Sequence, residues 1–249
     1  VDPRRPMKYM LGHLKGAVNL PLYKAFDSEA RLLSPAALAS WIGKAGLGDD
    51  VVPVIYDSYD GQNGAMLTWV LEYLVEKSNV RGMRSIPGKD GRIDAPGVRR
   101  LWETAQRLEI VINSLPSREL KPQVAEMAAA HPKLNVVIDH CLNLASRKTL
   151  EATLADMQDL AKLKNVNAKL TFIPTGTRMG LPGKDLHAAC LEVIKAFGAD
   201  RCVWGSDFPC ELWLKNQHIS YAQHLQIFTH ELGLDPDTKR AVLGTTAQK

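Results

Sequence analysis

The stretch Arg201-Cys-Val-Trp-Gly-Ser-Asp-Phe-Pro209 decides the fold of this 249-residue chain. Cys202-Val203-Trp204 is a short apolar run, which is typical of a buried strand in a parallel sheet. Small residues follow it directly, and then the carboxylate of Asp207. Because barrel enzymes carry their functional side chains at the carboxyl ends of such strands, the pattern predicts that Asp207 is a site residue.

Upstream of this stretch, strand-like apolar runs alternate with segments of helical periodicity. The helix at 35–45 has clear start signals, because Ser34 is a good N-cap and Pro35 is tolerated at the first helical position. The alternation predicts an α/β fold with a parallel sheet and outer helices. The predicted strands lie at 16–20, 51–56, 81–86, 110–112, 135–139, 166–173 and 202–205, and the other predicted helices at 65–74, 96–108, 119–130, 150–163, 186–197 and 221–232.

The composition excludes several classes of protein. The chain is 45% hydrophobic and 23% charged, which is ordinary for a globular protein with a sizeable core. The net charge of +4 is spread along the chain, so a nucleic-acid partner is not expected. No apolar run reaches eighteen residues and the first residues show no apolar leader, so neither a membrane span nor a secretion signal is expected. Four cysteines without CxxC spacing favour reduced thiols in the cytoplasm.

Five collinear motifs point to one family. The segment over about residues 80–249 resembles the second half of the amidohydrolase-related metal-dependent hydrolases, the family that includes aminocarboxymuconate-semialdehyde decarboxylase. The resemblance implies strands four to eight of a TIM barrel, and hence a TIM-barrel-like half or a hybrid barrel. The matching motifs are Val80-Arg-Gly-Met-Arg84, Val136-Val-Ile-Asp-His140, Ala168-Lys-Leu-Thr171, Phe197-Gly-Ala-Asp-Arg201 and Gly205-Ser-Asp-Phe-Pro209.

The resemblance also implies roles for individual side chains. Asp207 matches the carboxylate that binds the metal and the nucleophilic water, and His140 matches a histidine that acts in acid/base catalysis or polarises the substrate. Arg84 and Lys169 are candidates for binding an anionic substrate. Each residue has a structural alternative, namely a cap for Asp207, a strand-end hydrogen bond for His140 and a surface ion pair for Arg84. Lys169 lies on a strand whose side chains alternate between two faces.

The implied divalent metal site, for zinc or a similar ion, is incomplete. In the family a His-x-His pair, a further histidine and the aspartate hold the metal, whereas no two histidines in these 249 residues have that spacing. Ser114 stands where the resemblance implies the further histidine, and a hydroxyl is a poor zinc ligand. We therefore expect weak or absent metal binding unless Cys141 or Cys210 joins the site.

Residues 1–79 carry a second resemblance. Val1-Asp-Pro-Arg4, Gly12-His-Leu-Lys-Gly-Ala-Val-Asn-Leu-Pro21 and Val54-Ile-Tyr-Asp57 are similar to a rhodanese domain. Asp57 stands where an active rhodanese has its cysteine, and a carboxylate cannot carry transferable sulfur. The resemblance is therefore to the inactive type, and the chain looks like a chimera or fusion with a boundary at 79/80.

Several functions stay open at this point. The first is an amidohydrolase-like hydrolase or decarboxylase scaffold for a small carboxylate or lactone, with an incomplete metal site. The second is a non-catalytic recombined or designed hybrid, and the third is an inactive rhodanese-like binding domain. Three rhodanese-like and five barrel-like strands would form either a closed hybrid barrel or an open sheet packed on a half-barrel. The expected partner is a small molecule, and an oligomer is compatible with the sequence.

Overall fold

The computed structural model describes residues 24, 27–28, 33–44, 80–88, 90–144, 147–173, 183–207 and 220–248. Several predictions lie outside these residues, among them the strands at 16–20 and 51–56, the helix at 65–74 and the loop at Asp57. The rhodanese-like part of the chain is therefore not tested and stays a prediction.

The described strands form a five-stranded sheet in which they follow one another in sequence order. Val136 lies opposite Val166 and Ala168 opposite Cys202, and both of these pairings are parallel. Parallel neighbours require a crossover connection, which the intervening helices supply. The predicted α/β class of parallel strand–helix repeats is confirmed. The strands are β1 (Gly82–Ser85), β2 (Val111–Ser114), β3 (Val136–Ile138), β4 (Val166–Leu170) and β5 (Cys202–Trp204).

The helices alternate with these strands, and their starts follow from local sequence. Ser34 Oγ accepts a hydrogen bond from the Ala37 backbone N–H at 3.3 Å, as predicted for an N-cap. No helix among the described residues is long and apolar enough to cross a membrane. The α-helices are α1 (Pro35–Lys44), α2 (Pro96–Arg107), α3 (Lys121–Ala130), α4 (Leu150–Ala161), α5 (Gly183–Phe197), α6 (Tyr221–Gln226) and α7 (Pro236–Leu243).

The chain divides into two compact units, Val1–Asn113 and Ser114–Lys249. In the first unit, Trp102 on α2 is fully buried, and its Nε1 donates to Ser85 Oγ on β1 at 3.0 Å. In the second unit, β4 has one fully buried face and one half-buried face, because its burial alternates residue by residue. The buried face belongs to the core, and the other face carries Asn167 and Lys169.

Most boundaries differ from the prediction by a few residues, and two elements change character before their predicted ends. Strand β4 ends at Leu170 and not at 173, because the Thr171 N–H turns back to the Lys169 carbonyl at 3.0 Å. The predicted helix at 221–232 changes character after α6, and Ile227–Glu231 forms a π-helical turn. The Leu232 N–H donates to the carbonyl of Ile227, five residues earlier, at 2.9 Å.

Helix α7 was not predicted, although its start signal is present in the sequence. Asp235 is the N-cap, and its Oδ1 accepts from the N–H groups of Asp237 and Thr238 at 3.0 Å each. Pro236 occupies the first helical position, where its missing N–H costs nothing.

Candidate functional site

The site begins with a buried carboxylate directly after β3. Asp139 is 1% exposed, and its backbone N–H donates to the Ser114 carbonyl at 2.8 Å, which continues the hydrogen-bond ladder of the sheet. His140 follows, with 12% of its side chain exposed. The chain therefore presents an almost fully buried acid and a partly accessible imidazole side by side at the carboxyl end of one strand.

His140–Asn143 form a left-handed turn. All four residues have positive φ, at 51°, 47°, 59° and 57°, and none of them is glycine. Two contacts tie the turn to the end of β4: the His140 N–H donates to Thr171 Oγ1 at 3.2 Å, and Cys141 Sγ donates to the Lys169 carbonyl at 3.4 Å. Left-handed backbone is costly for residues with a Cβ, so these contacts must hold the turn in place.

Lys169 reaches the buried carboxylate from the neighbouring strand. Val137 lies opposite Asn167, so the same register brings Asp139 opposite Lys169 on one face of the sheet. Lys169 Nζ lies 3.1 Å from Asp139 Oδ1, and Thr171 Oγ1 donates to the same oxygen at 3.4 Å. One carboxylate oxygen thus receives an ammonium and a hydroxyl, as burial of a charge requires.

Asp207 completes the cluster from the end of β5. Its φ of 55° places it in left-handed backbone, and its side chain is 27% exposed. Asp207 Oδ1 lies 3.8 Å from His140 Nε2, which is also 3.8 Å from Asp139 Oδ1. The imidazole therefore lies near two carboxylates, one buried and one partly exposed.

Gly205 leaves the space in which this cluster forms. A Cβ at this position would lie 2.5 Å from Thr171 Cγ2 and 2.9 Å from Lys169 Cε. Both distances are too short for real side chains, so any larger residue here would displace the threonine or the lysine.

Of the four predicted site residues, the structure brings together Asp207 and His140 and places Lys169 near the same histidine through Asp139. Arg84 lies half-buried on β1, in the other compact unit. Sequence reasoning missed Asp139, although a signal was present, since an acid between an apolar strand and a candidate histidine occupies the strand's functional end.

Ser114 does not face this cluster. Val136 lies opposite Val166, and the Val136 N–H donates to the carbonyl of Asn165, the residue before Val166. By the same pattern, the bond from Asp139 to the Ser114 carbonyl puts Ser114 opposite Ile138, on the other face of the sheet from Asp139. Ser114 Oγ is buried and has no hydrogen-bond partner among the described residues.

The described residues do not fit a divalent metal site. No group of three or more histidine, cysteine or acidic side chains in the described ranges converges well enough to hold an ion. A catalytic zinc needs three protein ligands. Cys141 offers no rescue, because burial raises the pKa of its thiol well above the usual range and its sulfur points at a carbonyl. Cys210 lies outside the described residues.

An aromatic group backs β5 on the side of the last helices. The Trp204 ring lies 5.9 Å from Tyr221, 5.5 Å from His224 and 6.5 Å from Phe228, measured between ring centroids. Burial lowers the pKa of His224 to about 4, so this imidazole is neutral near pH 7. We therefore assign it to packing rather than to proton transfer.

Comparison with known sequences identifies one family. A family model described as "Amidohydrolase" matches residues 64–249. A curated relative, the L-fucono-1,5-lactonase of Burkholderia ambifaria, is 30% identical over 135 residues, which are 52% of this chain and 45% of the relative. The matched part thus spans about half the length of that relative.

Solved structures show the same fold. An amidohydrolase from Burkholderia multivorans with bound zinc superposes with a TM-score of 0.60 at 22% identity, over 88% of each chain. A probable 2-pyrone-4,6-dicarboxylic acid hydrolase from Acinetobacter baumannii, with citric acid bound, gives a TM-score of 0.62 at 15% identity, over 86% of this chain and 77% of that one. At these identities the likeness is one of fold, and it agrees with the predicted class of parallel strand–helix repeats of the TIM-barrel type.

Proposed function

The chain belongs to the amidohydrolase family, and on that premise we propose that it hydrolyses a small lactone or carboxylate, with decarboxylation of a small carboxylate as the related alternative. The observation that carries the proposal is the pair formed by Asp207 and His140, 3.8 Å apart at the carboxyl ends of two strands of one sheet. The similarity to an L-fucono-1,5-lactonase favours a lactone.

Asp207 is the proposed general base. Its carboxylate is the more exposed of the two acids beside His140, so a water molecule can reach it. When that water attacks the carbonyl carbon of a lactone, Asp207 takes one proton from the water. The new carbon–oxygen bond converts the carbonyl group into a tetrahedral oxyanion. Asp207 is thus accessible to water, and its place directly after β5 fixes its position in the fold.

His140 is the proposed acid. Its Nε2 lies 3.8 Å from an oxygen of each carboxylate, and in the proposed step the protonated imidazole passes its proton to the ring oxygen as the carbon–oxygen bond breaks. Lys169 supplies positive charge near the oxyanion and the carboxylate that forms. Arg84 stays a proposed substrate-binding residue on the evidence of its strand-end position alone.

A divalent metal ion, with Asp207 as its one ligand, stays an expectation from the sequence resemblance. Because the described donor set does not complete a zinc site, no step of the reaction above passes through a metal.

The test is an assay of the hydrolysis of L-fucono-1,5-lactone and related sugar lactones. A pH indicator detects the acid that hydrolysis releases. Asp207→Asn is expected to lower kcat/KM by about 10²–10⁴-fold, the usual range for loss of a general base. Glu192→Gln, at an exposed position on α5, is the matched control and should keep full activity. A folded wild-type chain that opens no lactone, or an unchanged Asp207→Asn variant, would contradict the proposal.

The domain organisation is a separate proposal. We propose a rhodanese-like segment over residues 1–79 joined to an amidohydrolase-like segment over 80–249, although the family match already begins at residue 64. Two separate unfolding transitions of the whole chain would support a joined pair, and one cooperative transition would favour a single integrated fold. Cytoplasmic location, a small-molecule partner and an oligomer stay predictions in the same way.

A further inference from the structure

The charge balance around Asp139 is already complete without a metal ion. This carboxylate is 1% exposed and would be strongly destabilising in the fold if it were uncompensated. Lys169 Nζ lies 3.1 Å from Oδ1, and the Thr171 hydroxyl donates to the same oxygen at 3.4 Å. These two groups give the buried acid a positive neighbour and a hydrogen bond.

The sheet fixes the position of the Lys169 ammonium. Lys169 stands on β4 directly opposite Asp139 in the parallel register. Its side chain passes the position where a Cβ of residue 205 would lie, only 2.9 Å from Lys169 Cε, so Gly205 keeps this path open. The side chain is 28% exposed, far less than a lysine that extends into solvent. The positive charge therefore has a fixed place at the carboxyl end of the strands.

A divalent ion bound to Asp139 and this ammonium exclude each other. Zinc binds a carboxylate oxygen at about 2.0–2.2 Å. An ion at that distance from Asp139 Oδ1 would lie beside the Lys169 ammonium and be repelled by it.

We propose that the Lys169 ammonium takes the place of the divalent ion in this chain, so that Asp139 and His140 are arranged around a cation that belongs to the protein. The inference goes beyond the proposed function, since it concerns the cation of the site and its readout does not depend on hydrolysis. The outcome of its test is therefore independent of whether the chain hydrolyses lactones.

The experiment is rescue of a cation-deficient variant by zinc. Lys169→Met removes the charge and keeps the length of the side chain, so the buried Asp139 loses its ammonium partner. We expect Tm to fall by about 6–12 °C relative to wild type after treatment with a chelator. Added zinc chloride should restore more than half of that loss. Wild-type Tm should not move with zinc, and dialysed wild type should hold substoichiometric zinc.

Two further variants serve as controls. Lys162→Met removes a lysine that is 78% exposed and paired with Asp159 at 2.8 Å, and it should change neither Tm nor the zinc response. Asp139→Asn combined with Lys169→Met should fold even if the single variant does not, because it also removes the buried negative charge, and it should not respond to zinc. One zinc per wild-type chain that is lost on Asp207→Ala would overturn the inference, as would a Lys169→Met variant whose Tm zinc does not raise.

Discussion

Replacing Arg201 with alanine is expected to destabilise the unit that carries the candidate site by about 3 kcal/mol. Arg201 immediately precedes β5, the strand that leads to Asp207. Its guanidinium donates four hydrogen bonds to backbone carbonyls at the ends of two helices and the start of a strand. The acceptors are Phe197 at 2.9 Å, Leu163 at 2.9 Å, Val166 at 3.1 Å and Ala161 at 3.0 Å.

The magnitude follows from these bonds after two deductions. A hydrogen bond from a charged donor contributes about 1.5–3 kcal/mol when measured alone. The four do not add, because water can replace part of them once the side chain is removed, and because ordering an arginine costs up to about 2 kcal/mol. The guanidinium also lies 5.3 Å from the centre of the Phe197 ring, a contact that contributes about 0.5–1 kcal/mol at a partly exposed site. A net loss of about 3 kcal/mol corresponds to more than a 100-fold change in the unfolding equilibrium, and to a fall in Tm of about 6–12 °C.

The assay is urea unfolding followed by far-ultraviolet circular dichroism, with thermal unfolding as the second measurement. Arg201→Lys should lose most of the same free energy, because one ammonium cannot reach carbonyls that a planar fork reaches on several sides. Arg240→Ala is the matched control, since Arg240 is 68% exposed and, among the described residues, forms an exposed ion pair with Asp237, and it should change stability by less than about 0.5 kcal/mol. A loss below about 1 kcal/mol for Arg201→Ala would refute the reasoning, because a single ordinary hydrogen bond could account for it.

Three more predictions follow from single positions. Glu109 is exposed and has a φ of 55° at the end of α2, so Glu109→Gly should raise the unfolding free energy by about 1 kcal/mol in urea titrations. Gly205→Ala should push Lys169 or Thr171 out of place, and it should lower both Tm and any lactonase activity, whereas an unchanged Tm would show that the cluster adapts freely. Hydrogen bonds from Arg92 and Arg99, together with the charge of Arg92, lower the pKa of Asp94 from 3.8 to about 2. A lowered folded pKa stabilises the fold above pH 4, so this contribution should be lost between about pH 4 and pH 2, and Asp94→Asn should lack that part of the pH dependence.

The strands and their functional ends could be predicted from the sequence alone. The apolar runs that end at Asp139 and Asp207 lie on β3 and β5 as expected, because a short apolar run followed by an acid leaves few alternatives in a parallel sheet. The alternate facing of β4 was also predicted, and the structure confirms it. Local pattern was sufficient here because each of these features depends on a few neighbouring residues.

The pairing inside the site could not be predicted in the same way. Lys169 contacts Asp139, whereas Ser114 lies on the other face of the sheet. Both facts depend on the register between strands, which cannot be read from a local sequence pattern. The left-handed turn was equally hidden, because cysteine and leucine are among the residues that avoid such backbone. It is the tertiary contacts to Thr171 and the Lys169 carbonyl that override this preference.

The turn at His140–Asn143 also limits how far selection could improve the heat resistance of this chain. At about 1–2 kcal/mol per residue, four left-handed residues in succession store roughly 4–8 kcal/mol, which is comparable with the net stability of a typical domain, about 5–15 kcal/mol. Glycine at the exposed position 143 would release part of that store, whereas glycine at Cys141 or Leu142, which are 0% and 2% exposed, would also remove a buried side chain. A search for thermostable variants should therefore find Asn143→Gly first. This substitution would also let the imidazole of His140 drift from its two carboxylates. Gains in stability at this turn are therefore expected to come with losses of activity.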